Sequence, residues 1–498
     1  MNRLRLFSHG CAPHDGCGPY LFAEPGTAFP QGVLSSGIIM RKIFTLNKDF
    51  RGFLSYTVPA AISMLLSGIY ILVDGLFVGW GAGTEGLAAI NVAYPFACLY
   101  LGIGEMLGNG SAITIAYCRG RDKLRTAGLF FGNLIFIMIP LGILLGAVSP
   151  LTSRLVGLMG ADEAIFASAR NYALIVSGGC VFQIMTCSLL AVMRHTKAQY
   201  SAMFIMLAGL LANIVLDYWM VIAMKWGVEG SAWATILAQL ITCILAVGYF
   251  VRGKIKIRFR FAHLRPYASI LGKIMLTGLP SFGLQLAATL VILLHNIFAG
   301  IYGGLTAIAA YAIIASVVEV VMLMDGGFST GIQPLVSFFN GTGERTRRKR
   351  IFRYGMLAAL IFGVIAMIAT IWGRALIARA FNATPELAAI TFRGLILSSF
   401  GFVSLGLFQV MCAYLQAKGR HTLSSILIYT DCLVAMPLAL VILPLFFKLD
   451  GVWLAMPVSK LVMMAAAAMV TFRWKDNPAA LIRRKLLITK KIVKMLWM

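Results

Sequence analysis

Apolar stretches long enough to cross a membrane recur along the whole chain, and short segments rich in Gly, Pro or charge separate them. A helix needs about 20 mostly apolar residues to span the hydrocarbon core of a bilayer. Transmembrane β-strands alternate polar and apolar side chains over about 10 residues, whereas stretches such as 129–147 show no alternation. The pattern therefore predicts an all-α integral membrane protein with twelve transmembrane helices. These spans are 53–80, 88–117, 126–149, 165–192, 200–223, 230–251, 274–300, 306–339, 353–373, 388–416, 422–447 and 451–472.

The sequence of the first half of the chain recurs in the second half. One constant shift in residue number, the repeat offset, places Pro59 on Pro280. This offset aligns 59–120 with 280–341 without a gap, and further along it pairs Lys197 with Lys418. Each half contains six predicted helices, an even number, so the second half enters the membrane from the same side as the first. We therefore expect two parallel six-helix repeats, an N-lobe and a C-lobe, around a central cavity. A cavity that faces each side of the membrane in turn is typical of a transporter.

The charged residues support this topology. Only 12% of residues are charged, whereas soluble domains carry about 25%, so a water-soluble enzyme is excluded. The net charge of +25 comes largely from loops: of 43 Lys and Arg, 35 fall on one side of the predicted topology and 7 on the other. This asymmetry marks the cytoplasmic side and indicates no affinity for nucleic acid. We expect a multi-pass protein of the cell membrane with both termini in the cytoplasm.

Four segments are predicted along the chain. Residues 1–39 lack the apolar core of a signal peptide, and Met40 precedes a normal juxtamembrane entry, so 1–39 is expected to be a disordered extension. The remaining segments are the N-lobe at 40–262, the C-lobe at 263–472 and a basic cytoplasmic tail at 473–498.

Polar side chains line one face of three predicted helices in the N-lobe. They are Ser63, Ser67, Tyr70 and Asp74 in the first helix, Asn213 and Asp217 in the fifth, and Ser231, Thr235, Gln239 and Thr242 in the sixth. Three polar faces cannot all point at lipid, so we expect them to converge on one hydrated pocket. Carboxylate, amide and hydroxyl oxygens suit a proton or Na⁺, and helix–helix hydrogen bonds are the alternative interpretation. The candidate cation ligands are Asp74, Asn213, Asp217 and Thr235.

The C-lobe does not repeat this chemistry. At the repeat offset, Asp74 corresponds to His295, Asp217 to Leu438 and Gln239 to Lys460. Charge inside a span is costly and often functional, and an ion pair of Lys460 with either Asp431 or Glu319 is consistent with the sequence. The polar candidates for the central cavity in both lobes are Tyr70, Gln239, Gln285, His295, Asn296, Glu319 and Lys460.

The sequence lacks the motifs of several other functional classes. No GxxxxGK[ST] motif occurs, so we expect no ATP bound through a P-loop. The nine cysteines show no CxxC pairing that would indicate zinc or a disulfide framework. We expect no cofactor and no metal other than a coupling Na⁺. An embedded enzyme is a further alternative, but the chain has no HExxH, GxSxG or His-rich cluster.

The motifs resemble those of the MATE (multidrug and toxic compound extrusion) family, of the bacterial multidrug-efflux type, over roughly 45–472. The first helix, from Pro59 to the membrane-embedded Asp74, is similar to the opening segment of that family. Asn213 and Asp217 with Thr235 are similar to its N-lobe cation site. A Gln-Pro…Asn-Gly signature after the eighth helix completes the resemblance, and its residues are Gln333, Pro334, Asn340 and Gly341.

The resemblance implies a secondary transporter that is not an enzyme. It would export organic cations or other amphiphilic small molecules across the lipid bilayer, by alternating access and in exchange for H⁺ or Na⁺. Asp74, Asn213, Asp217 and Thr235 would bind the ion, and the transporter would act as a monomer. A lipid-linked oligosaccharide flippase of the same superfamily is the alternative with a similar arrangement of helices.

Overall fold

The computed structural model describes residues 48–158, 163–253, 261–381 and 384–473. The predicted extension 1–39 lies outside these residues, as does the basic tail 473–498 apart from Arg473. The regular elements among the described residues are helices without any strand, in agreement with the predicted all-α class.

The described part of the N-lobe is built from helices α1 to α8. They are α1 (Lys48–Gly83), α2 (Glu85–Gly120), α3 (Leu124–Ala147), α4 (Ser149–Leu158), α5 (Glu163–Gly178), α6 (Cys180–His195), α7 (Gln199–Ala223) and α8 (Gly227–Val251). The last part of α7, Tyr218–Ala223, is π-helical and begins directly after Asp217. Such π segments occur frequently at functional sites.

The C-lobe follows a short 3₁₀ turn at Phe261–Leu264. Its first long stretch, Ala268–Thr342, is interrupted at Gly304 and forms two helices, α9 (268–303) and α10 (305–342). The remaining helices are α11 (Arg345–Ala380), α12 (Pro385–Ser399), α13 (Phe402–Ala417), α14 (His421–Phe447, with a π segment at Asp431–Ala435) and α15 (Leu449–Arg473).

The number of spans agrees with the sequence prediction once bends are taken into account. Nine described helices are long and apolar enough to cross a membrane, and two bent helix pairs raise this number to eleven. The pairs are Ile165–Gly178 with Cys180–His195, bent by 51°, and Pro385–Ser399 with Phe402–Ala417, bent by 43°. Ala268–Thr342 counts once in that total, so treating α9 and α10 separately gives twelve spans in the described residues. The predicted single helices 165–192 and 388–416 are thus each broken in the middle.

The two lobes share the backbone geometry that the repeat predicts. Gly83, between α1 and α2, has φ 65° and ψ −161°, and Gly304, between α9 and α10, has φ 65° and ψ −160°. This region of backbone space is open essentially only to glycine. The two glycines are separated by the repeat offset that aligns the sequences, so both halves turn between their first two helices by the same device.

The first helix of each lobe starts in contact with the other lobe. Ile274, near the start of α9, is buried in the apolar core of the N-lobe. Phe53, near the start of α1, is buried in a core made largely by the C-lobe. The two positions correspond at the repeat offset, so the exchange is symmetric. The lobes are therefore joined by packed side chains and not only by the connecting segment.

Close helix–helix contacts between the lobes lie near one end of the bundle, where Gly120 of α2 meets Gly341 of α10. We call this the basic end because the loops with most Lys and Arg begin there. A side chain at Gly110 of α2 would collide with the backbone of α9, and one at Gly331 of α10 would lie 2.5 Å from Thr57 Cα of α1. Gly110 and Gly331 again correspond at the repeat offset. The predicted cytoplasmic half of the interface is therefore closed.

Candidate functional site

The polar faces of α1, α7 and α8 meet inside the N-lobe, as the sequence predicts. Ser231 of α8 donates a hydrogen bond of 2.7 Å from Oγ to Oδ1 of Asp74 on α1. The Asp217 carboxylate on α7 lies close enough to Asp74 for the two charges to interact. Two carboxylates from different helices therefore share one pocket, which we call the N-lobe pocket.

Asp217 and Asn213 are fully buried at the centre of this pocket, each with 0% of its surface exposed. Both carboxylate oxygens of Asp217 and both amide atoms of Asn213 lack a hydrogen-bond partner in the described structure. The two residues lie one helical turn apart at the end of α7, directly before its π segment. A buried polar atom without a partner costs about 1–3 kcal/mol, so this arrangement favours a bound ligand that interacts with these atoms.

Tyr70, Thr235 and Gln239 complete the polar lining. The Tyr70 hydroxyl on α1 lies beside the side chains of Thr235 and Gln239 on α8. The Tyr70 hydroxyl, Thr235 Oγ1 and Gln239 Oε1 are also buried without a hydrogen-bond partner. With the four atoms of Asn213 and Asp217, the pocket thus collects seven buried polar atoms that lie close to one another without a well-formed hydrogen bond in the described structure. Such an arrangement suits a small cation or proton that can be bound and released.

Sequence reasoning missed one member of the pocket. Tyr172 of α5 is 5% exposed and lies within electrostatic reach of Asp74, Asp217 and Tyr70. It brings a fourth helix to the pocket. Its one polar neighbour at helical spacing, Ser168, continues into no longer polar stripe in the predicted span 165–192, so the sequence did not mark Tyr172 as part of a polar face.

The donor set fits an alkali cation or a proton better than a transition metal. Within the described residues, no group of three or more His, Cys, Asp or Glu side chains is placed to hold a metal ion. The oxygens of the N-lobe pocket come from carboxylate, amide and hydroxyl groups, which are hard ligands. The seven described cysteines are free thiols and none lies among the pocket residues named above.

The C-lobe carries a different polar site at the related helices. Lys460 of α15 forms an ion pair with Asp431 of α14, and Ser459 donates a 2.9 Å hydrogen bond to Asp431 Oδ1. Both charged residues are largely buried, with side-chain exposures of 11% for Lys460 and 3% for Asp431. Of the two partners that the sequence left open for Lys460, the structure selects Asp431. Lys460 also lies 5.6 Å from the ring centroid of Phe408.

The other cavity candidates are spread over the C-lobe. Glu319 of α10 is exposed, and Gln285 of α9 lies near it through their shared neighbour Cys98 of α2. His295 is buried and stacks on Tyr311 with 5.0 Å between ring centroids. Asn296 is half-buried. These residues are therefore not assembled into one site comparable to the N-lobe pocket.

The signature residues at the end of α10 lie at contacts between helices. Gln333 donates a 2.9 Å hydrogen bond to Gln416 of α13, and Asn340 donates one of 3.1 Å to the carbonyl of Lys418. Gly341 packs on Gly120 of the other lobe. In α1, the Pro59 carbonyl accepts a 2.7 Å hydrogen bond from Ser63. These positions hold helices together at the basic end and do not line the N-lobe pocket.

Comparison with known proteins agrees with this architecture. The family model described as MatE matches residues 59–219 and 280–441, the corresponding parts of the two lobes. Multidrug export protein MepA of Staphylococcus saprophyticus is 25% identical over 446 residues, which are 87% of this chain and 96% of that protein. The protein of the same name from Staphylococcus aureus strain MRSA252 is 24% identical over 442 residues, 87% of this chain and 96% of that protein.

Solved structures show the same fold. A MOP superfamily transporter from Pyrococcus furiosus superimposes with a TM-score of 0.81 at 21% identity, covering 86% of this chain and 96% of that chain. A multidrug resistance MATE family transporter in an outward-facing conformation gives a TM-score of 0.80 at 22% identity, covering 86% and 95%. At these identities the likeness concerns the fold, with its two lobes.

Proposed function

The chain belongs to the MATE family of membrane transporters, and on this basis we propose that it exports organic cations and other amphiphilic compounds in exchange for H⁺ or Na⁺. The observation that carries the proposal is the N-lobe pocket. Its two carboxylates and seven unpartnered polar atoms are buried in a lobe that offers them no cationic partner among the described pocket residues. A bound ion would satisfy atoms that the fold leaves unsatisfied.

Each residue of the pocket has a distinct part in this proposal. Asp217 and Asn213 supply oxygens directly before the π segment of α7. Asp74 is held by Ser231 and connects the ion to α1. Because α1 also packs against α10 at the basic end, a change in the ionisation of Asp74 would act on the helix that helps to close the lobes. An ion can shift the balance of two conformations only as far as it binds one of them better.

The closure of the lobes at the basic end supports an outward-facing form. With that end on the cytoplasmic side, substrate would leave from a cavity open to the outside while the ion enters the N-lobe pocket. Return to the inward-facing form would require the contacts of Gly110 and Gly331 to separate. Both the named relatives, which are export proteins, and the MatE match favour efflux over the flippase alternative.

Dye or drug efflux from cells that express the chain tests the proposal. We expect Asp217→Asn and Asp74→Asn to abolish ion-coupled efflux, because each removes a charge that the ion neutralises. Leu438→Met is the control, since Leu438 is the counterpart of Asp217 in the C-lobe and should tolerate an apolar replacement. Wild-type efflux in the Asp217→Asn variant would refute the proposed role of the pocket. Substrate-induced proton release from the purified protein, measured with and without Na⁺, identifies the coupling ion.

A further inference from the structure

A second buried carboxyl group lies in the C-lobe, away from the N-lobe pocket and from the Asp431–Lys460 pair. Asp325 of α10 is 0% exposed, and neither of its carboxylate oxygens has a hydrogen-bond partner in the described structure. It faces Gly406 of α13, where a Cβ would lie 2.5 Å from Oδ1 and 2.9 Å from Oδ2. The absence of a side chain at position 406 therefore leaves room for the Asp325 carboxyl group.

No charged group among the described residues compensates Asp325. Neither carboxylate oxygen of Asp325 finds a hydrogen-bond partner among the described residues, and burial is the influence that dominates its ionisation. Glu319, on the same helix, is exposed. The Asp431–Lys460 pair lies instead against Phe408 and Cys412 of α13. An ionised carboxylate buried without a counter-ion or donor is strongly unfavourable, so the surroundings favour the neutral acid.

Asp325 is the first member of a polar stripe along α10. Ser329 and Gln333 follow at intervals of four residues, on the same helical face. Ser329 Oγ and Gln333 Oε1 are likewise buried without a partner in the described structure. The counterparts on α2 are Gly104, Gly108 and Ala112, which carry no polar side chain. The stripe is therefore a property of one lobe and does not follow from the repeat.

The stripe leads to a hydrogen-bond chain that crosses between the lobes. Gln333 donates to Gln416, which donates to Ser281 of α9 at 3.1 Å. Asn109 of α2, in the other lobe, also donates to Ser281, at 3.2 Å. Asn109 is in turn bonded to Glu105, at 2.5 Å. The polar face that begins at Asp325 is thus continuous with the contact between the lobes.

The opposite face of α10 forms the closed interface itself. Gly327 packs against Ala61 of α1, and Gly331 packs against Thr57. An ionised Asp325 requires water or a donor, and the contact with Gly406 leaves no room for either. Because α1 blocks the opposite face, α10 would respond to ionisation by rotating about its axis, and this rotation carries Gly327 and Gly331 off α1.

We propose that Asp325 is a proton-binding site in the C-lobe, separate from the coupling-ion site, and that its proton holds α10 against α1 and keeps the basic end closed. The ligand is a proton and not Na⁺, because Ser329 is the single further oxygen that the stripe places one helical turn away. Loss of the proton opens the predicted cytoplasmic side. The proposal uses the fold and the lobe contacts, and it holds whichever compounds are exported.

Infrared difference spectroscopy of the purified full-length chain tests proton binding. The background carries Asp74→Asn and Asp217→Asn, so that the N-lobe pocket cannot contribute. We expect a carboxylic-acid carbonyl band that disappears as the pH is raised and that is missing after Asp325→Asn. An unchanged band in Asp325→Asn would overturn the proposal. Because the N-lobe acids are absent from this background, the result is independent of the proposed efflux function.

Hydrogen–deuterium exchange tests the coupling to the interface. In the wild-type chain, the protection of 57–61 and 327–331 relative to the intrinsic exchange rate at each pH should fall as the pH is raised, and Asp325→Asn should remain protected at every pH. Glu319→Gln is the matched control, because it removes an acid from the same helix at an exposed position and should keep the wild-type pH dependence. Equal pH dependence in Asp325→Asn would refute the coupling.

Gly406→Ala provides a second variant in case Asp325→Asn does not fold. The added methyl group presses on the carboxyl group, so it should shift both the carbonyl band and the pH at which this protection falls. If neither measurement changes, the acid at position 325 is not the group that binds the proton.

Discussion

The two lobes have the same arrangement of helices but bury different charged side chains. In the N-lobe, Asp217 is buried with two unpartnered oxygens, and its C-lobe counterpart is Leu438. In the C-lobe, the buried acid on the related helix is Asp431, and Lys460 neutralises it permanently. Lys460 occupies the position that corresponds to Gln239 in the N-lobe pocket. We therefore expect the N-lobe pocket to change its net charge by binding an ion, whereas the related Asp431–Lys460 site of the C-lobe carries its own cation.

This difference explains how a duplicated fold can have one ion-binding pocket. The shared features are backbone features: the turns at Gly83 and Gly304, the broken fourth span of each lobe, and the glycine contacts at the basic end. A few side chains then decide which lobe binds an ion. The variants that follow exchange or remove those side chains, in order of decreasing expected effect.

The largest effect is expected from Gln239→Lys, which gives the N-lobe pocket the ammonium group that the C-lobe has. A Lys at this position would pair with Asp217 or Asp74 and compete with the coupling ion. We expect ion-coupled efflux to fall to the level of cells without the transporter. Gln239→Met is the control, since it fills similar volume without charge. Normal efflux in Gln239→Lys would mean that the ion binds elsewhere.

The second variant removes the internal cation of the C-lobe. Lys460→Ala leaves Asp431 buried and without its counter-ion, which costs about 3–5 kcal/mol of folding stability. We expect a clear decrease in the melting temperature of the purified protein. The double variant Lys460→Leu with Asp431→Leu should recover most of the loss, because no charge is left unpaired. If the Lys460→Ala variant is as stable as wild type, the ion pair does not stabilise the fold.

The smallest effect is expected from Ser231→Ala in the N-lobe pocket. It removes one hydrogen bond to the Asp74 carboxylate, which is worth about 1.5–3 kcal/mol when the acceptor is charged. Because the ionised form of Asp74 loses a donor, its proton should bind more tightly, by roughly tenfold for each 1.4 kcal/mol. The pH dependence of efflux should therefore move to higher pH while export continues. Efflux with an unchanged pH profile would show that Ser231 does not tune Asp74.

Much of the architecture was predictable because it depends on patterns that are local or periodic. Apolar stretches and the repeat offset predicted the twelve spans in two repeats, and the structure confirms the fold class. The convergence of α1, α7 and α8 was also predictable, because polar faces in a membrane protein must meet one another. The bends within the fourth and tenth spans were not predicted, because Gly178 and Gly179 in one and Gly401 in the other lie within apolar stretches that were each interpreted as one continuous helix.

The missed residues have a common cause. Tyr172 lies in a largely apolar helix, and Asp325 begins a polar stripe whose role cannot be recognised from spacing alone, so the sequence neither placed Tyr172 in the pocket nor explained Asp325. Their importance depends on which helix faces them: Tyr172 lies against the residues of the N-lobe pocket, and Asp325 lies against Gly406. Neither neighbour is near in sequence.

The sequence by itself determined the class of protein, its repeat, the predicted sidedness of its loops and the acids of the N-lobe pocket. These follow from hydropathy, which acts residue by residue, and from the cost of placing polar groups in lipid. Only the tertiary structure decided that Lys460 pairs with Asp431, that Gln333 belongs to a chain of hydrogen bonds between the lobes, and that the basic end is closed. Those outcomes depend on contacts between residues far apart in the chain, because the balance between a buried charge and its partner is set by the distance between them in space.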